Sequence, residues 1–368
     1  MIYTEVDIVI TIQYNLKIAK KPIEKQEPMK RYFLMSWMFF IALIQTFYAQ
    51  DTAAEDYFLK GKWDAIKTIN SPIARHESSF VNVGNQFYLL GGRHIKPVSI
   101  YDVHTNMWSE GAKPPVEIHH FQAVAYQGEI YMFGAMTGKY PYEIPLPNIL
   151  IYNPKADAWR EGSEIPKARR RGSAGVVVQD SKAYIISGIV DGHNSKHVHW
   201  VDAYDFKTEK WTILADAPRP RDHFHAAIKG GKIYAAGGRN SSFATNQTFQ
   251  LTIPEVDVYT IESNSWTSLP KENNIEIQRA GTSCAFLGDD LILIGGESMS
   301  QKEAHNQVDA YNIKTKTWRK LSALNRGRHG SQAIVYKDAI YIVAGSGSRG
   351  GKPELESMEK FSIKNLKH

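Results

Sequence analysis

The sequence predicts an all-β fold built from six copies of a four-stranded antiparallel unit. Two regular spacings predict it. An apolar run ends six times in a pair of small residues, whose first position falls at Gly91, Gly134, Ser187, Gly237, Gly295 and Ala344. Five tyrosines each precede a tryptophan by seven residues, namely Tyr101 and Trp108, Tyr152 and Trp159, Tyr204 and Trp211, Tyr259 and Trp266, and Tyr311 and Trp318. The constant Tyr-to-Trp spacing indicates a fixed hairpin, whereas the variable spacing between the glycine pair and the tyrosine indicates a loop of changing length.

The clearest copy runs from Arg221 to Trp266. Two short apolar runs flank a tight Gly230-Gly231 turn, which predicts a β-hairpin. The second strand ends at Gly237-Gly238, a polar loop follows, and two further strands carry Tyr259 and Trp266. Burial of one aromatic ring removes about 150–250 Å² from water. We therefore assign the repeated aromatic residues and glycines to folding.

A double glycine, a tyrosine and a tryptophan, recurring roughly every 50 residues, resemble the kelch family. The resemblance covers residues 60–364 and implies a six-bladed kelch-type β-propeller with four antiparallel strands in each blade. Trp63 lies before the first glycine pair, while the last copy has Phe361 at the tyrosine position and no tryptophan after it. We therefore expect an N-terminal strand around Trp63 to complete the last blade. Such closure removes the open sheet edges that promote aggregation.

The N-terminal region has the pattern of a secretory signal peptide. Met29 begins a basic start, an apolar run extends from Tyr32 to Tyr48, and Ala49 offers a cleavage site. We interpret residues 29–49 as the signal peptide and residues 1–28 as a mis-assigned upstream segment. The apolar run is too short to favour a spanning helix. The expectation is a secreted or periplasmic protein with no stable membrane insertion after cleavage.

Composition narrows the function classes. The chain has 368 residues and a formal net charge of +6, a mild excess that does not indicate a nucleic-acid partner. Cys284 is the only cysteine, so an intrachain disulfide is impossible. Galactose oxidase shares the kelch superfamily, and its copper-radical chemistry needs a tyrosine ligand cross-linked to a cysteine. Since Cys284 falls inside an apolar strand, we expect it to be a core residue.

Function is expected where the copies differ. The predicted turns between strands one and two are short, whereas long loops follow the glycine pairs. One face of the propeller should therefore carry tight hairpins and the opposite face the long loops. Binding residues are expected on the long-loop face, around the central channel.

Arginine recurs sixteen residues before the first glycine-pair position in five of the six copies, at Arg75, Arg171, Arg221, Arg279 and Arg328. If strand one is innermost, these arginines surround the mouth of the channel. Arg93 and Arg239 follow intact glycine pairs and should face the same space. Guanidinium groups match carboxylates and phosphates, and the resemblance points the same way, because such arginines line the ligand pocket in several kelch propellers. The alternative is that each arginine caps its own blade or ties neighbouring loops together.

Histidines accompany these arginine positions, at His76, His119, His120, His223, His225 and His329, and others, including His193, fall in the long loops. His223 and His225 lie two apart on a predicted strand, so their side chains should share one face. Two imidazoles in this arrangement predict a site for a divalent transition metal. His119, His120 or Glu297 could complete it.

Arginine, histidine and exposed aromatic residues suit an acidic sugar or another small anionic ligand. His120, His223 and Glu297 are the candidate acid–base residues, which would give isomerase-, mutarotase- or lyase-type proton transfer. Kelch propellers that interconvert sialic acid anomers offer an analogy at the level of the fold. The alternative is a non-catalytic module that binds a protein partner, because most kelch domains bind partners and a fold does not fix a function. From the residues, whether the protein is an enzyme stays open.

Overall fold

The computed structural model describes residues 61–362. The predicted upstream segment and signal peptide lie outside these residues. Among the described residues no helix is long and apolar enough to cross a membrane. The regular structure is almost entirely β, with two short 3₁₀ helices, η1 (Lys167–Arg169) and η2 (Lys271–Asn273).

The described strands form six antiparallel four-stranded sheets, which are the blades of a propeller. Within each blade the strands lie side by side in chain order, except that the outer strand of the sixth blade comes from the N-terminal side. That strand is β1 (Lys62–Ala65). Blade one contains β2 (Ser78–Val83), β3 (Gln86–Gly91), β4 (Ser99–Asp102) and β5 (Met107–Glu110), and blade two contains β6 (Ala123–Tyr126), β7 (Glu129–Met132), β10 (Asn148–Asn153) and β11 (Ala158–Glu164). Blade three contains β12 (Gly175–Gln179), β13 (Lys182–Ile186), β16 (Val201–Asp205) and β17 (Lys210–Ile213).

Blades four to six repeat the arrangement. Blade four contains β18 (Ala226–Lys229), β19 (Lys232–Ala235), β20 (Asp257–Thr260) and β21 (Ser265–Ser268), and blade five contains β22 (Ser283–Leu287), β23 (Asp290–Ile294), β24 (Val308–Asn312) and β25 (Thr317–Lys320). Blade six contains β26 (Ala333–Tyr336), β27 (Ala339–Val343) and β28 (Met358–Ser362), together with β1. The first strand of each blade packs against the first strands of both neighbouring blades, in a closed circle. This confirms the predicted six-bladed propeller and places strand one of each blade on the inside.

The ring closes through β1, as predicted. It pairs antiparallel with β28, which sets Trp63 opposite Phe361. The two rings lie 5.5 Å apart between centroids, and both side chains are buried. The N-terminal strand therefore fills the outer edge of the sixth blade.

In four blades the repeated tryptophan packs on the repeated tyrosine and bonds to the blade before it. In blade four Tyr259 lies directly opposite Trp266, with ring centroids 5.2 Å apart. The indole N–H of Trp266 donates to the carbonyl of Ala215 in the preceding blade, at 2.9 Å. The same bond joins Trp159 to Ala112, Trp211 to Glu164 and Trp318 to Asn273. The constant Tyr-to-Trp spacing therefore reflects a pair of residues that holds neighbouring blades together.

The glycine pairs end the second strands where the backbone must reverse. Gly237 and Gly238 have φ angles of +73° and +88°, which glycine adopts without a steric cost. A Cβ at Gly238 would also lie 2.7 Å from the carbonyl oxygen of Asp222. The pair therefore lets the strand end lie against the segment that enters the inner strand. From here the long loops begin, and two of them form hairpins, β8 (Met136–Thr137) with β9 (Ile144–Pro145) and β14 (Ile189–Asp191) with β15 (Ser195–His197).

Candidate functional site

Six residues, one from each blade, surround the propeller axis just before the inner strands. Each lies two residues after the recurring arginine position, and all six have left-handed φ angles between 49° and 63°. Backbone hydrogen bonds link neighbours, for example Ser173 N to His120 O at 2.8 Å and Gly281 N to His223 O at 2.6 Å. Left-handed backbone is strained for residues other than glycine and concentrates at functional sites. The axial positions are Glu77, His120, Ser173, His223, Gly281 and Gly330.

The axial ring separates two spaces. Above it, on the long-loop side, lies a cavity of about 810 Å³, which Glu77 and His120 help to line. Below it lies a narrow space of about 30 Å³, which all six axial positions line. Six of the predicted site residues line the large cavity, and these are His76, Arg93, the axial His120, Arg239, Glu297 and His329. The axial ring is thus the floor of the cavity.

The five recurring arginines lie away from this cavity, which corrects their assignment as ligand contacts. They are at most 2% exposed, and each bonds the carbonyl oxygen at the first glycine-pair position of its own blade. In blade four Arg221 Nη1 donates to Gly237 O at 2.8 Å and Nη2 to Asp257 at 2.5 Å. The strand end leaves carbonyl oxygens without a ladder partner, and the guanidinium fork satisfies them. These residues, Arg75, Arg171, Arg221, Arg279 and Arg328, therefore cap their blades, the alternative role considered above.

Arg93 and Arg239 do reach the cavity, but each is already paired with a buried carboxylate. Arg93 forms an ion pair with Glu143, and Arg239 Nη1 lies 2.7 Å from Glu297 Oε1. Burial opposes ionisation of both glutamates, yet these arginines and neighbouring histidines hold the pKa of each below its usual value. The positive charge of these two arginines is therefore largely neutralised within the protein, which leaves less of it for a ligand carboxylate.

Three histidines converge at the floor of the cavity. His120 and His223 are axial, whereas His193 arrives from the β14–β15 hairpin of blade three. One ring nitrogen from each lies within 4.8 Å of the others, and Nε2 of His193 is 3.1 Å from Nε2 of His223. Burial, followed by neighbouring positive groups, lowers the pKa of His120 well below its ordinary value. Burial also lowers the pKa of His193, so these rings favour the neutral form.

Carboxylates hold two of these rings in place. His193 Nδ1 lies 2.9 Å from Glu143 Oε1, and His223 Nδ1 lies 2.8 Å from Asp222 Oδ2. His119 stands behind the cluster, with its Nδ1 2.6 Å from Nδ1 of His120. Since both carboxylates accept from Nδ1–H, the Nε2 atoms of His193 and His223 point toward each other.

Gly192 explains how His193 reaches the floor. Its φ is +59°, and a Cβ there would lie 2.5 Å from both the backbone nitrogen and Oε2 of Glu143. The hairpin therefore passes against the loop of blade two at a distance that only glycine permits. The sequence places His193 in a long loop but gives no indication that this loop folds over the axis.

His225 is not part of the cluster, which corrects the predicted His223–His225 pair. The inner strand β18 begins only at Ala226, and the left-handed φ of His223 interrupts the alternation of an extended chain. His225 instead lines the narrow space below the floor, where its Nδ1 lies 3.3 Å from Ser283 Oγ. Burial lowers the pKa of His225 to about 4.

A second buried pair of polar side chains, Glu297 and His329, also lines the cavity. Glu297 accepts from Arg239 and from the backbone N–H of Gly350 at 2.9 Å. His329 Nε2 lies 2.8 Å from the Gly350 carbonyl and 3.3 Å from Glu297 Oε2. Both oxygens of Glu297 thus face donors, and the side chain is held in one orientation.

Cys284 is buried in β22, and burial raises the pKa of its thiol to about 12. It packs among apolar residues between blades four and five. This matches the core role expected from the sequence. A thiol in this state is a poor nucleophile and a poor ligand.

Comparisons with known proteins agree on the family. Residues 48–300 match the family model described as Attractin/LZTR1 beta-propeller, and residues 278–325 match the Kelch motif. The "Kelch-like protein terF" of Aspergillus terreus is 28% identical over 308 residues, which cover 78% of this chain and 65% of that protein. "Kelch-like protein 40" of Xenopus laevis is 28% identical over 200 residues, which cover 51% of this chain and 31% of that protein.

The chain thus spans between about a third and two thirds of the length of these two relatives. Among solved structures, the one titled "Structure of YjhT" superposes with a TM-score of 0.68 at 16% identity, over 82% of this chain and 98% of that chain. This likeness concerns the fold. With most of the chain matched by a propeller model and all six blades present, the protein belongs to the kelch-repeat β-propeller family.

Proposed function

We propose that this propeller binds a small, oxygen-rich molecule in the axial cavity and catalyses proton transfer on it. The observation that carries the proposal is the cluster of buried histidines and carboxylates at the floor of an open cavity. Ligand pockets typically measure about 300–1,000 Å³ and hold a few convergent polar groups. The cavity volume of about 810 Å³ lies in that range.

The ionisable groups around the cavity favour catalysis of proton transfer over binding of an anion without reaction. Burial alone would raise the pKa of Glu77, but neighbouring histidines lower it to about 2. An ionised carboxylate beside imidazole groups supplies a proton acceptor next to groups able to relay a proton. Perturbed titratable groups concentrated in one cleft are typical of catalytic sites.

A sugar acid is the ligand class that the cavity walls suit best. Lys139 and Lys352 line the entrance and can pair with a carboxylate. Tyr140 and Phe249 line the wall and offer apolar faces to a sugar ring. The rim lysines thus replace the recurring arginines as the cationic partners of such a ligand.

Replacing Tyr140 by alanine is expected to weaken ligand binding by roughly two- to twelvefold, since contacts of an aromatic ring contribute about 0.5–1.5 kcal/mol. Tyr140 lines the cavity and lies 5.0 Å from the His193 ring between centroids. Binding is measured by thermal shift and by saturation-transfer NMR against uronic acids, sialic acids and neutral sugars, with turnover followed by ¹H NMR.

Tyr142→Ala is the matched control. Tyr142 lies two residues further along the same loop, is 66% exposed and does not line the cavity. It should leave sugar binding unchanged. Equal losses in both variants, or no stabilisation by any sugar of the panel, would contradict the proposal.

A protein partner is the second candidate function, and one surface favours it. Tyr140, Tyr142, Ile144 and Phe243 are exposed large apolar side chains on two neighbouring loops. Exposed apolar patches mark interaction sites more often than scattered single residues do. A partner bound there would need Tyr142 as much as Tyr140, so the same pair of variants separates the two functions.

A further inference from the structure

Carboxylates surround the histidine cluster at the floor of the cavity. Oxygens of Glu77, Glu143 and Asp222 lie 2.8–3.3 Å from ring nitrogens of His120, His193 and His223. Imidazole and carboxylate groups are the usual ligands of divalent transition metals, and carboxylates are the usual supports behind histidine ligands. The composition of the floor therefore suits a divalent cation.

The hydrogen bonds fix the tautomers of two of the histidines. A carboxylate only accepts, so His193 and His223 each carry their proton on Nδ1, facing Glu143 and Asp222. Their Nε2 atoms lie 3.1 Å apart. Whenever neither ring carries a second proton, these two atoms present lone pairs to each other, and a cation between them would relieve the repulsion.

The third histidine, His120, is held through its Nδ1 by His119. Nε2 of His119 lies 3.3 Å both from the carbonyl of Gly138, which accepts, and from Nη1 of Arg93, which donates. When His119 donates to Gly138, its Nδ1 accepts from Nδ1 of His120 at 2.6 Å, and Nε2 of His120 holds a lone pair. That Nε2 lies 3.3 Å from Glu77 Oε2. In this tautomer a ring nitrogen and a carboxylate oxygen lie side by side, as two ligands of one ion do.

We propose that Nε2 of His120, His193 and His223, together with the carboxylate of Glu77, binds one divalent transition-metal ion at the floor of the cavity. Ligand atoms about 2.0–2.1 Å from zinc in a tetrahedral sphere lie about 3.3 Å from one another. The His193–His223 and His120–Glu77 separations of 3.1 and 3.3 Å match that edge. Imidazole with carboxylate suits zinc, iron, nickel or copper.

The supports behind the ligands resemble those of known metal sites. Histidine ligands usually donate their other ring nitrogen to a carboxylate or a carbonyl group, which fixes the tautomer and the ring orientation. Here Glu143, Asp222 and His119 contact the Nδ1 atoms of the three rings. Glu77, His120 and His223 share the left-handed backbone of the axial ring.

This inference deepens the proposed function, on which it rests for the identity of the ligand. His120, His193 and Glu77 also line the large cavity, so the ion would be accessible from it. A carboxylate or hydroxyl oxygen of a sugar acid could then enter its coordination sphere. The ion would then give an acidic ligand a cationic partner at a floor that also holds several carboxylates.

The test uses the full chain, purified without a histidine tag and stripped with EDTA. Titration with Zn²⁺, followed by calorimetry and elemental analysis, should give one ion per chain. Co²⁺ should produce visible d–d absorption that Zn²⁺ abolishes. His193→Gln should remove this stoichiometric site. Glu143→Gln should weaken affinity by about 10–100-fold, as loss of a group that orients a metal-binding histidine does.

His199→Gln is the matched control, because His199 is half exposed and lies outside the cluster. It should bind Zn²⁺ like the parent. Circular dichroism melting shows that each variant is folded, and His193 is the ligand that lies on a loop, so its loss spares the inner strands. Absence of stoichiometric Zn²⁺ and Co²⁺ binding in the parent, or full binding by His193→Gln, would overturn the proposal.

The sugar panel is measured on stripped and on loaded protein. Binding that requires the metal supports both proposals together. Binding that is equal in both states, with no stoichiometric metal, leaves the cavity function standing and removes the metal site. Stoichiometric metal binding with no sugar binding supports the metal site and removes the proposed cavity function.

Discussion

Arg328→Met is expected to lower the free energy of unfolding by about 3–5 kcal/mol, the cost of leaving a buried charge without its partner. Arg328 is 1% exposed and its Nη2 lies 2.7 Å from Glu359, which is equally buried. It also donates to the carbonyl groups of Ala344 and Ser357 at 3.0 and 2.8 Å. Methionine fills similar volume but offers no donor, so these acceptors lose their partner. Urea denaturation followed by circular dichroism measures the loss.

Arg160→Met serves as the control. Arg160 pairs with Glu129 at 2.6 Å, but its side chain is half exposed. Exposed ion pairs contribute at most about 1 kcal/mol, so this variant should remain close to the parent. If Arg328→Met unfolded like the parent yet lost sugar binding, the blade-capping role would be refuted and the ligand role restored.

A chain that begins at Lys67, and so lacks β1, is expected to lose cooperative unfolding. β1 covers the edge of β28, and Trp63 fills a buried cluster shared by blades five and six. The carbonyl of Trp63 also accepts from Asn325 at 3.0 Å. Without β1 the ring has an open edge and a cavity the size of a tryptophan. Calorimetry should show a broad transition of low enthalpy.

Two comparisons sharpen this prediction. A chain that begins at Gly61 keeps β1 and should melt in one sharp transition. Trp63→Ala in the whole chain should cost about 3–5 kcal/mol, typical of truncating a buried tryptophan, with cooperativity retained. A sharp transition in the chain that begins at Lys67 would show that closure does not depend on β1.

The architecture was predictable because it depends on residues that every blade needs. Tyr259 and Trp266 lie opposite each other, and the tryptophan bonds to the preceding blade, so their spacing cannot vary. The closure by Trp63 followed from the same count. These constraints act within a blade or between adjacent blades, and they appear in the sequence as a period.

The site was only partly predictable because it depends on contacts between distant loops. The arginine register was visible, but a sequence does not show whether a guanidinium group bonds its own strand or faces a ligand. The informative positions lie two residues further on, where Glu77, His120 and His223 align with Ser173, a register that the same count could have found. His193 carries no such periodicity, since its place depends on the close approach of Gly192 to Glu143.

The axial ring has one further consequence. A Cβ at Gly330 would lie 2.8 Å from Oε1 of Glu77, and one at Gly281 would lie 3.1 Å from the Cβ of His329. Blades five and six therefore contribute no side chain to the axial ring, and the space beside their glycines is taken by Glu77 and His329. Blades one, two and four contribute reactive groups to the ring. A scaffold with near sixfold symmetry thus presents an asymmetric, chiral arrangement of side chains to the ligand. Such a surface can tell a molecule from its mirror image, and enantiomeric ligands should bind it unequally.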